Sequence, residues 1–395
     1  MLNIKGKFNE AKVFTDNIDE KCIAQIIEVC NEPFTEGSKI RIMPDTHVGK
    51  GAVIGTTMTI TNKAVPNLVG VDVGCGMSVA KLNLKEENIC YDTLDKTIRK
   101  HVPSGFNIRQ KAHPYAKEIP WRDIKTPIDF DRAKKSIGSL GGGNHFIELN
   151  KGSNGEIYLV IHSGSRNLGK QVAEHYQDLA FKERTRLVEI QRDEIIANLM
   201  KNGRQEEIED ELKKFKPPMI NKHLAYLEGQ SFHDYLNDMT IAQKFASLNR
   251  KAMIEAITTQ LDWEIIDTWE SIHNFIDTEH MILRKGATSA RKGEKLLIPI
   301  NMRDGSIIAT GKGNSDWNFS APHGAGRVMS RGQAKKSVKF EDFQASMKDV
   351  WTTSVNKSTI DESPFVYKPM EEILAHITDC VDIEDIIKPL YNFKA

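Results

Sequence analysis

Residues 140–168 read LGGGNHFIELNKGSNGEIYLVIHSGSRNL, and their punctuation organises the rest of the chain. Two β-like runs, 145–149 and 157–162, are set off by glycine and asparagine, and each has a histidine at one end, His145 and His162. From about Leu168 to Leu261 the pattern turns helical, in long charged and apolar stretches broken at Lys216-Pro217-Pro218. Upstream lie further β-like runs at 39–43 (KIRIM), 52–60 (AVIGTTMTI) and 77–84 (MSVAKLNL). Downstream they return at 264–272, 295–300 and 306–310. Residues 16–30 read as a helix led by Asp16 or Asn17, with Ile18, Cys22, Ile23, Ile26, Ile27 and Cys30 on one face. The tail from 370 reads as a helix followed by a short extended end. Unusual residues fall at strand ends and in glycine-rich turns on both sides of the helical block. A site built from them must draw on the whole chain. The expectation is therefore a single α+β domain over 1–395, mixed sheets flanked by helices, with a helical insertion at about 168–261.

Composition sets the class. The chain has 395 residues, 39% hydrophobic and 27% charged, the profile of a globular protein with a real core. No apolar run approaches the roughly eighteen residues of a membrane span, and MLNIKGKFNEAKVF lacks the apolar region of a secretory signal. The five cysteines (Cys22, Cys30, Cys75, Cys90, Cys380) are odd in number and scattered, which favours a reducing compartment and a cytoplasmic address over a disulfide framework. Lys plus Arg and Asp plus Glu both total 54, so net charge is silent about a polyanionic partner. Distribution is not: from Met281 to Phe340 there are twelve basic residues against three acidic ones. Such a patch neutralises phosphates, and it is also how a solvated surface balanced by acids elsewhere looks, such as the QEEIEDE run at 205–211.

Five segments carry the chemistry: MPDTHVGKG (43–51), VDVGCGM (71–77), LGGGNHFIE (140–148), IHSGSR (161–166) and HGAGR (323–327). Asp72 and Cys75 are three apart, and glycines at 74 and 76 allow the turn that presents carboxylate and thiolate to one point. A thiolate can bridge two cations, and carboxylate, thiolate and imidazole together suit manganese or zinc better than magnesium. A lone cysteine is otherwise a small buried hydrophobe; the glycine turn and Asp72 favour the ligand reading here. His145 and His162 could each be a satisfied structural histidine, yet both stand by glycines with Asn144 and Arg166 adjacent, an amide donor and a guanidinium suited to phosphate. His273 alone is balanced between the two readings. His47 fits a ligand or a supporting partner that Asp45 could orient. His323 precedes Gly324-Ala325-Gly326, whose backbone N–H groups can approach a phosphate, with Arg327 and Arg331 behind them. A neutral imidazole so placed can attack a nucleoside triphosphate, and it can equally be bonded within its turn. No Walker loop, no GxGxxG entering a helix, no CxxC pair and no GxSxG elbow is present.

In this order, these segments resemble the RtcB family of RNA ligases from about Met43 to the C-terminus, and FASLNR (245–250) and RKGATSAR (284–291) also look like family segments. The resemblance implies joining of RNA 3′-phosphate or 2′,3′-cyclic phosphate ends to 5′-hydroxyl ends, with GTP and two manganese ions. Cys75 would bridge the metals, with His145 and His162 completing one and Asp72 and His273 the other. His323 would be the nucleophile that becomes guanylylated. Asn144, Arg166, Lys285, Arg327 and Arg331 would hold phosphates, Glu148, Ser306 and Lys394 would contact guanine, and Tyr367 would stack on it. The implied partner is RNA with broken ends, with no membrane, a monomer, and room for an activating protein. Where the family has a glycine- and serine-rich turn after its Ile-Pro, this chain reads Ile298-Pro299-Ile300-Asn301-Met302-Arg303-Asp304-Gly305-Ser306, which bears on Ser306 and on the nucleotide pocket. The chain's compactness suits a divergent, bacterial-type branch devoted to RNA repair. Two rivals stand beside this: a metallo-phosphoesterase that only processes RNA ends, and a catalytically idle RNA-binding accessory protein.

Overall fold

The computed structural model describes residues 1–217 and 219–395; Pro218 of the predicted Lys216-Pro217-Pro218 break lies outside them. Two sheets form the frame. The first has six strands in the order β1 (Leu2–Lys5), β2 (Glu10–Val13), β3 (Ile40–His47), β4 (Ile54–Thr59), β10 (Ile282–Lys285) and β9 (Asn274–Asp277). The second has seven, in the order β8 (Ile265–Ile272), β5 (Gly76–Leu82), β7 (Ile157–Ser163), β6 (Phe146–Lys151), β13 (Val381–Lys394), β12 (Gly305–Gly311) and β11 (Lys295–Asn301). Only β2 and β3 pair in parallel within these sheets.

The second sheet curls. Its edge strands β8 and β11 approach each other, with the Lys295 ammonium 3.9 Å over the Trp269 ring and Ser271 Oγ donating to the Leu297 carbonyl. Inside lie Met77, Val79, Phe146, Val160, Leu297, Ile308 and Ile387. Every residue of β7 is buried, which is why its sequence is a continuous apolar run rather than an alternation. The outer face of β5 to β7 is covered by helices α2 (Tyr91–His101) and α4 (Gly229–Leu261), through Leu94, Ile98, Met253, Ile254 and Ile257.

Four helices matter for the site. The first, α1, spans Glu20–Cys30, shorter than the predicted 16–30, because Asp19 and not Asp16 or Asn17 caps it by accepting from the Lys21 N–H. The helical block resolves into α3 (Arg166–Lys201), a short helix Ile208–Lys214, and α4. α4 buries Phe232, Tyr235, Met239, Ala242, Ala246, Met253 and Ile257, an apolar stripe at helical spacing, and stops at Asp262 in the left-handed conformation. α3 buries Leu168, Val172, Tyr176, Ala180 and Arg184 along one face, and beyond Arg184 only Leu199 is buried. These helices share a core with strand residues such as Val13, Ile42, Met58 and Leu283.

The expected short extended end is the 14-residue strand β13, which pairs with both β12 and β6 in the middle of the second sheet. Pro389 and a register shift there break the period-two pattern that would have announced it. The departure at 298–306 is a hairpin. Asn301 pairs with Gly305, its side-chain oxygen accepts from the N–H groups of Arg303 and Asp304, and Met302 is buried against Phe343 and Met347.

Candidate active site

The site lies at the seam between the sheets. His273 is the single residue joining β8 of one sheet to β9 of the other. Asp72 and Cys75 occupy the turn that enters β5, His145 precedes β6, and His162 lies near the end of β7. β5 pairs with both β8 and β7, and Met77 is opposite His162 while Phe146 is opposite it from the other side. The sheet register thus sets these donors side by side.

Two groups of ligand atoms result: Asp72, Cys75 and His145, and Cys75, His162 and His273, each with its atoms within 4.8 Å of one another. Cys75 belongs to both, the placement that a bridge would need. The expected partition does not hold: His145 goes with Asp72 and His162 with His273, because β7 pairs with β5 at Met77 and carries His162 toward the β8–β9 joint. The imidazoles of His145, His162, His273 and His323 form a row with centroid separations of 5.3, 5.2 and 4.7 Å.

The hydrogen bonding of this cluster suits a cation. His145 donates Nδ1–H to the Leu140 carbonyl at 2.9 Å, which turns its Nε2 lone pair toward Asp72 Oδ2, also at 2.9 Å. His162 donates Nδ1–H to the Asn144 carbonyl at 3.2 Å and points Nε2 at Cys75 Sγ, 3.3 Å away. Lone pairs therefore face a carboxylate oxygen and a sulfur, an arrangement that a shared positive ion stabilises. His273 Nδ1 is buried with no hydrogen-bond partner among the described residues. Burial holds the His162 and His273 imidazoles well below their ordinary range, so both are neutral and able to ligate. Burial, reinforced by Asp72, pushes the Cys75 thiol well up, so a thiolate there needs a cation beside it. The residues fit a pair of divalent cations.

Two buried residues of α4 brace the loops. Arg250 donates Nη1 to the carbonyls of Gly74 and Ser163, both at 2.9 Å, the neighbours of Cys75 and His162. Asn249 accepts from the N–H groups of Gly138 and Ser139 and donates to Gly164 O at 3.1 Å. Both lie within FASLNR, to which the sequence assigned no individual role. Gly164 has no room for a side chain, since a Cβ would stand 2.1 Å from Asp72 Oδ1.

His323 donates Nδ1–H to Asp45 Oδ2 at 2.7 Å. Asp45 thus orients His323, not His47, whose Nδ1 meets only the Asp45 backbone carbonyl at 3.0 Å. Burial lowers the His47 imidazole to about 4. The contact is possible because Gly326, at φ +78°, lets the HGAGR loop press against Asp45, where a Cβ would lie 2.2 Å from its carbonyl oxygen. The Asp45 carboxylate accepts the Nδ1 proton, which leaves the His323 Nε2 lone pair free.

His323 stands between two cavities. The larger, 840 Å³, is lined by Asn144, Phe146, Glu148, Gly324, Ala325, Gly326, Arg327, Arg331, Tyr367 and Lys394, with Pro299 to Met302 and Glu362. The smaller, 300 Å³, reaches Asp72, Cys75, His273, Lys50 and Lys285. His47, Ile54, Asn144 and His323 line both. Burial brings the Lys285 ammonium down to about 8, and it donates to the Asn67 carbonyl at 2.6 Å. Two residues expected to hold the nucleotide or its phosphates stay outside both linings. Ser306 is buried opposite Pro299 in the hairpin, so Ile300, Asn301 and Met302 take its place on the wall. Arg166, at φ +57°, turns back to Gly105 O and Ser139 Oγ.

Glu362 was not anticipated. This buried carboxylate accepts from Lys394 Nζ and Tyr367 OH, both at 2.7 Å, and pairs with Arg331 at 2.7 Å. Burial pushes its carboxyl upward, yet Lys394 and Arg331 outweigh that and hold it near 2. Glu148 is the opposite case: burial pushes it up to about 7 despite the Asn392 amide at 2.7 Å. No motif announces Glu362 or Asn392, because each acts through a partner remote in sequence.

A model of the family described as tRNA-splicing ligase RtcB matches residues 25–126 and 124–395. The chain belongs to the RtcB family. It is 33% identical over 398 residues to the RNA-splicing ligase RtcB of Escherichia coli K12, covering 91% of this chain and 90% of that protein. It is 27% identical to the tRNA-splicing ligase RtcB of Aeropyrum pernix, over 88% of this chain and 85% of the relative. Against the tRNA-splicing ligase RtcB of Methanococcus maripaludis the identity is 25%, over 94% and 90%. The RtcB match takes in the whole second sheet, the first sheet apart from β1 and β2, and His145, His162, His273 and His323. No helix among the described residues is long and apolar enough to cross a membrane.

Because Cys75 serves both ligand groups and Asp72 only one, the two residues separate in a metal count. Equilibrium dialysis against manganese is expected to give about two ions per wild-type chain, one for Asp72→Asn and none for Cys75→Ala. One ion retained by Cys75→Ala would show that the thiolate does not bridge.

Proposed function

We propose that the chain is an RNA ligase that joins 3′-phosphate or 2′,3′-cyclic phosphate ends to 5′-hydroxyl ends, in RNA repair or tRNA splicing. It would use GTP and two manganese ions, and proceed through a guanylylated histidine. Membership of the RtcB family supports the ligase class. The observation that carries the finer reading is His323: its Nδ1 is committed to Asp45, and its ring stands 4.7 Å from that of His273 on the wall of a nucleotide-sized cavity. A purely hydrolytic metal site has no need of that oriented nucleophile. The five free cysteines accord with a reducing, cytoplasmic setting.

In this reading His323 Nε2 attacks the α-phosphorus of GTP, forming a P–N bond as pyrophosphate leaves. Asp45 keeps Nδ1 protonated and stabilises the positive charge the ring acquires. The RNA 3′-phosphate then takes the guanylyl group from His323, and the 5′-hydroxyl displaces GMP to close the phosphodiester. Bound divalent cations would supply the charge that neutralises the phosphoryl oxygens in these steps. The Gly324–Gly326 backbone and Asn144 line the cavity beside His323 and would hold the phosphates. Within the same cavity Phe146 and Tyr367 would flank the base, and Glu148 would accept from its N–H groups.

Incubation with α-labelled GTP and manganese is expected to leave an acid-labile, hydroxide-stable label on wild type. In His323→Ala it should fall on the order of a thousandfold or more. Equal labelling of that folded variant would remove His323 from the chemistry. The Glu148 carboxyl adds a pH dependence with a definite sign. Its folded-state value lies above its ordinary one, so it is neutral below about 7 and becomes a two-oxygen acceptor above it. GTP affinity should therefore rise between about pH 6 and pH 8, and Glu148→Gln should flatten the rise. A wild-type affinity that falls over that interval would refute the base-reading role.

A further inference from the structure

The most exposed aromatic residue of the chain is Phe106, at 94%. A single exposed apolar side chain is ordinary. What distinguishes Phe106 is the support beneath it. Its loop, 103–107, is bolted to the glycine-rich loop that delivers His145: Leu140 N–H donates to Pro103 O at 2.9 Å, and Gly105 N–H donates to Gly141 O at 2.8 Å. Arg166 donates Nη2–H to Gly105 O at 2.8 Å. Gly142 lies beside Gly105, where a Cβ on it would make ordinary contact with the Gly105 Cα at 3.8 Å. The other end of that glycine loop faces the cavity, where a Cβ on Gly143 would stand 3.7 Å from Arg331 Nη2.

The sequence on either side of this loop is cationic. From Arg99 to Lys135 the chain has ten Lys and Arg against four Asp and Glu, an excess of ten minus four, or six. Arg132 reaches Phe106 itself, with Nη2 3.5 Å from its carbonyl oxygen. A rigid backbone, a solvent-facing ring and surplus positive charge beside a phosphate-handling site are the elements of a single-strand platform. The ring supplies a face for a base while the cations track the backbone.

We propose that the 103–107 loop is a stacking platform on which Phe106 holds a base of single-stranded RNA near the broken end, with Arg132 contacting its phosphate. RNA as the occupant rests on the ligase reading; the platform is argued from anchoring, exposure and charge. Its role is to fix the strand at one rigid point, so that the terminal phosphate arrives with little conformational freedom left to lose.

The test is fluorescence anisotropy of a short, fluorescein-labelled single-stranded RNA with a 3′-phosphate, titrated with wild type, Phe106→Ala, Phe106→Trp and Arg132→Gln. Phe106→Ala is expected to weaken binding roughly fivefold to a hundredfold, with Phe106→Trp restoring it. Arg132→Gln should reduce the slope of log affinity against log salt by about 0.7. Equal RNA affinities for wild type and Phe106→Ala overturn the platform, and are what a protein-docking role for Phe106 would give. Binding is read without catalysis, so the two readings can fail separately. A wild type that takes no label from GTP, while Phe106→Ala loses RNA affinity, removes the ligase and keeps the platform. A wild type that labels and ligates, but binds RNA no better than Phe106→Ala, removes the platform alone.

Discussion

The rest of the site depends on how the lone pairs around Cys75 are aimed. His145 and His162 each donate Nδ1–H to a backbone carbonyl, so each turns Nε2 inward, toward Asp72 Oδ2 and Cys75 Sγ. Facing acceptors in a buried space repel unless positive charge lies between them. The fold opposes that repulsion with strand pairing on both sides of β5 and with Arg250, whose guanidinium holds the carbonyls next to Cys75 and His162. The cluster is therefore held, and its tautomers are set, by main-chain groups.

The same constraint places His323. His273, the residue at which the chain passes from one sheet to the other, abuts the His323 ring on its far side. Asp45, from the end of β3, reaches His323 because Gly326 leaves no side chain between their loops. Contributions from both sheets thus meet in one row of imidazoles, between the larger cavity and the smaller one that reaches Asp72 and Cys75. The helices that looked like an insertion supply Asn249 and Arg250 and so take part in building the seam.

Much of this was legible in the sequence, and the rest was hidden for physical reasons. Strands such as β7 and β12 show as apolar runs between turn residues, and glycine-flanked Asp72, Cys75, His145 and His162 stood out because tight turns and ligand atoms coincide. Which histidine groups with which donor did not, since that follows from the β5–β7 register. Asp45 was paired with its neighbour His47 because proximity in sequence was the only guide; its true partner is 278 positions away. Ser306 lies off the cavity wall because a hairpin bulge at Pro299–Asn301 turns residues 300–302 to the cavity instead. Glu362, buried among Lys394, Tyr367 and Arg331, is an ordinary glutamate until the chain folds.

The most direct measurement is anomalous diffraction at the manganese edge from crystals of the manganese-loaded protein. Two peaks about 3.5–4 Å apart are expected, flanking Cys75 Sγ, one beside Asp72 and His145 and the other beside His162 and His273. A single peak, or two peaks that leave Cys75 outside the coordination of either ion, would contradict the bridging thiolate on which the account rests.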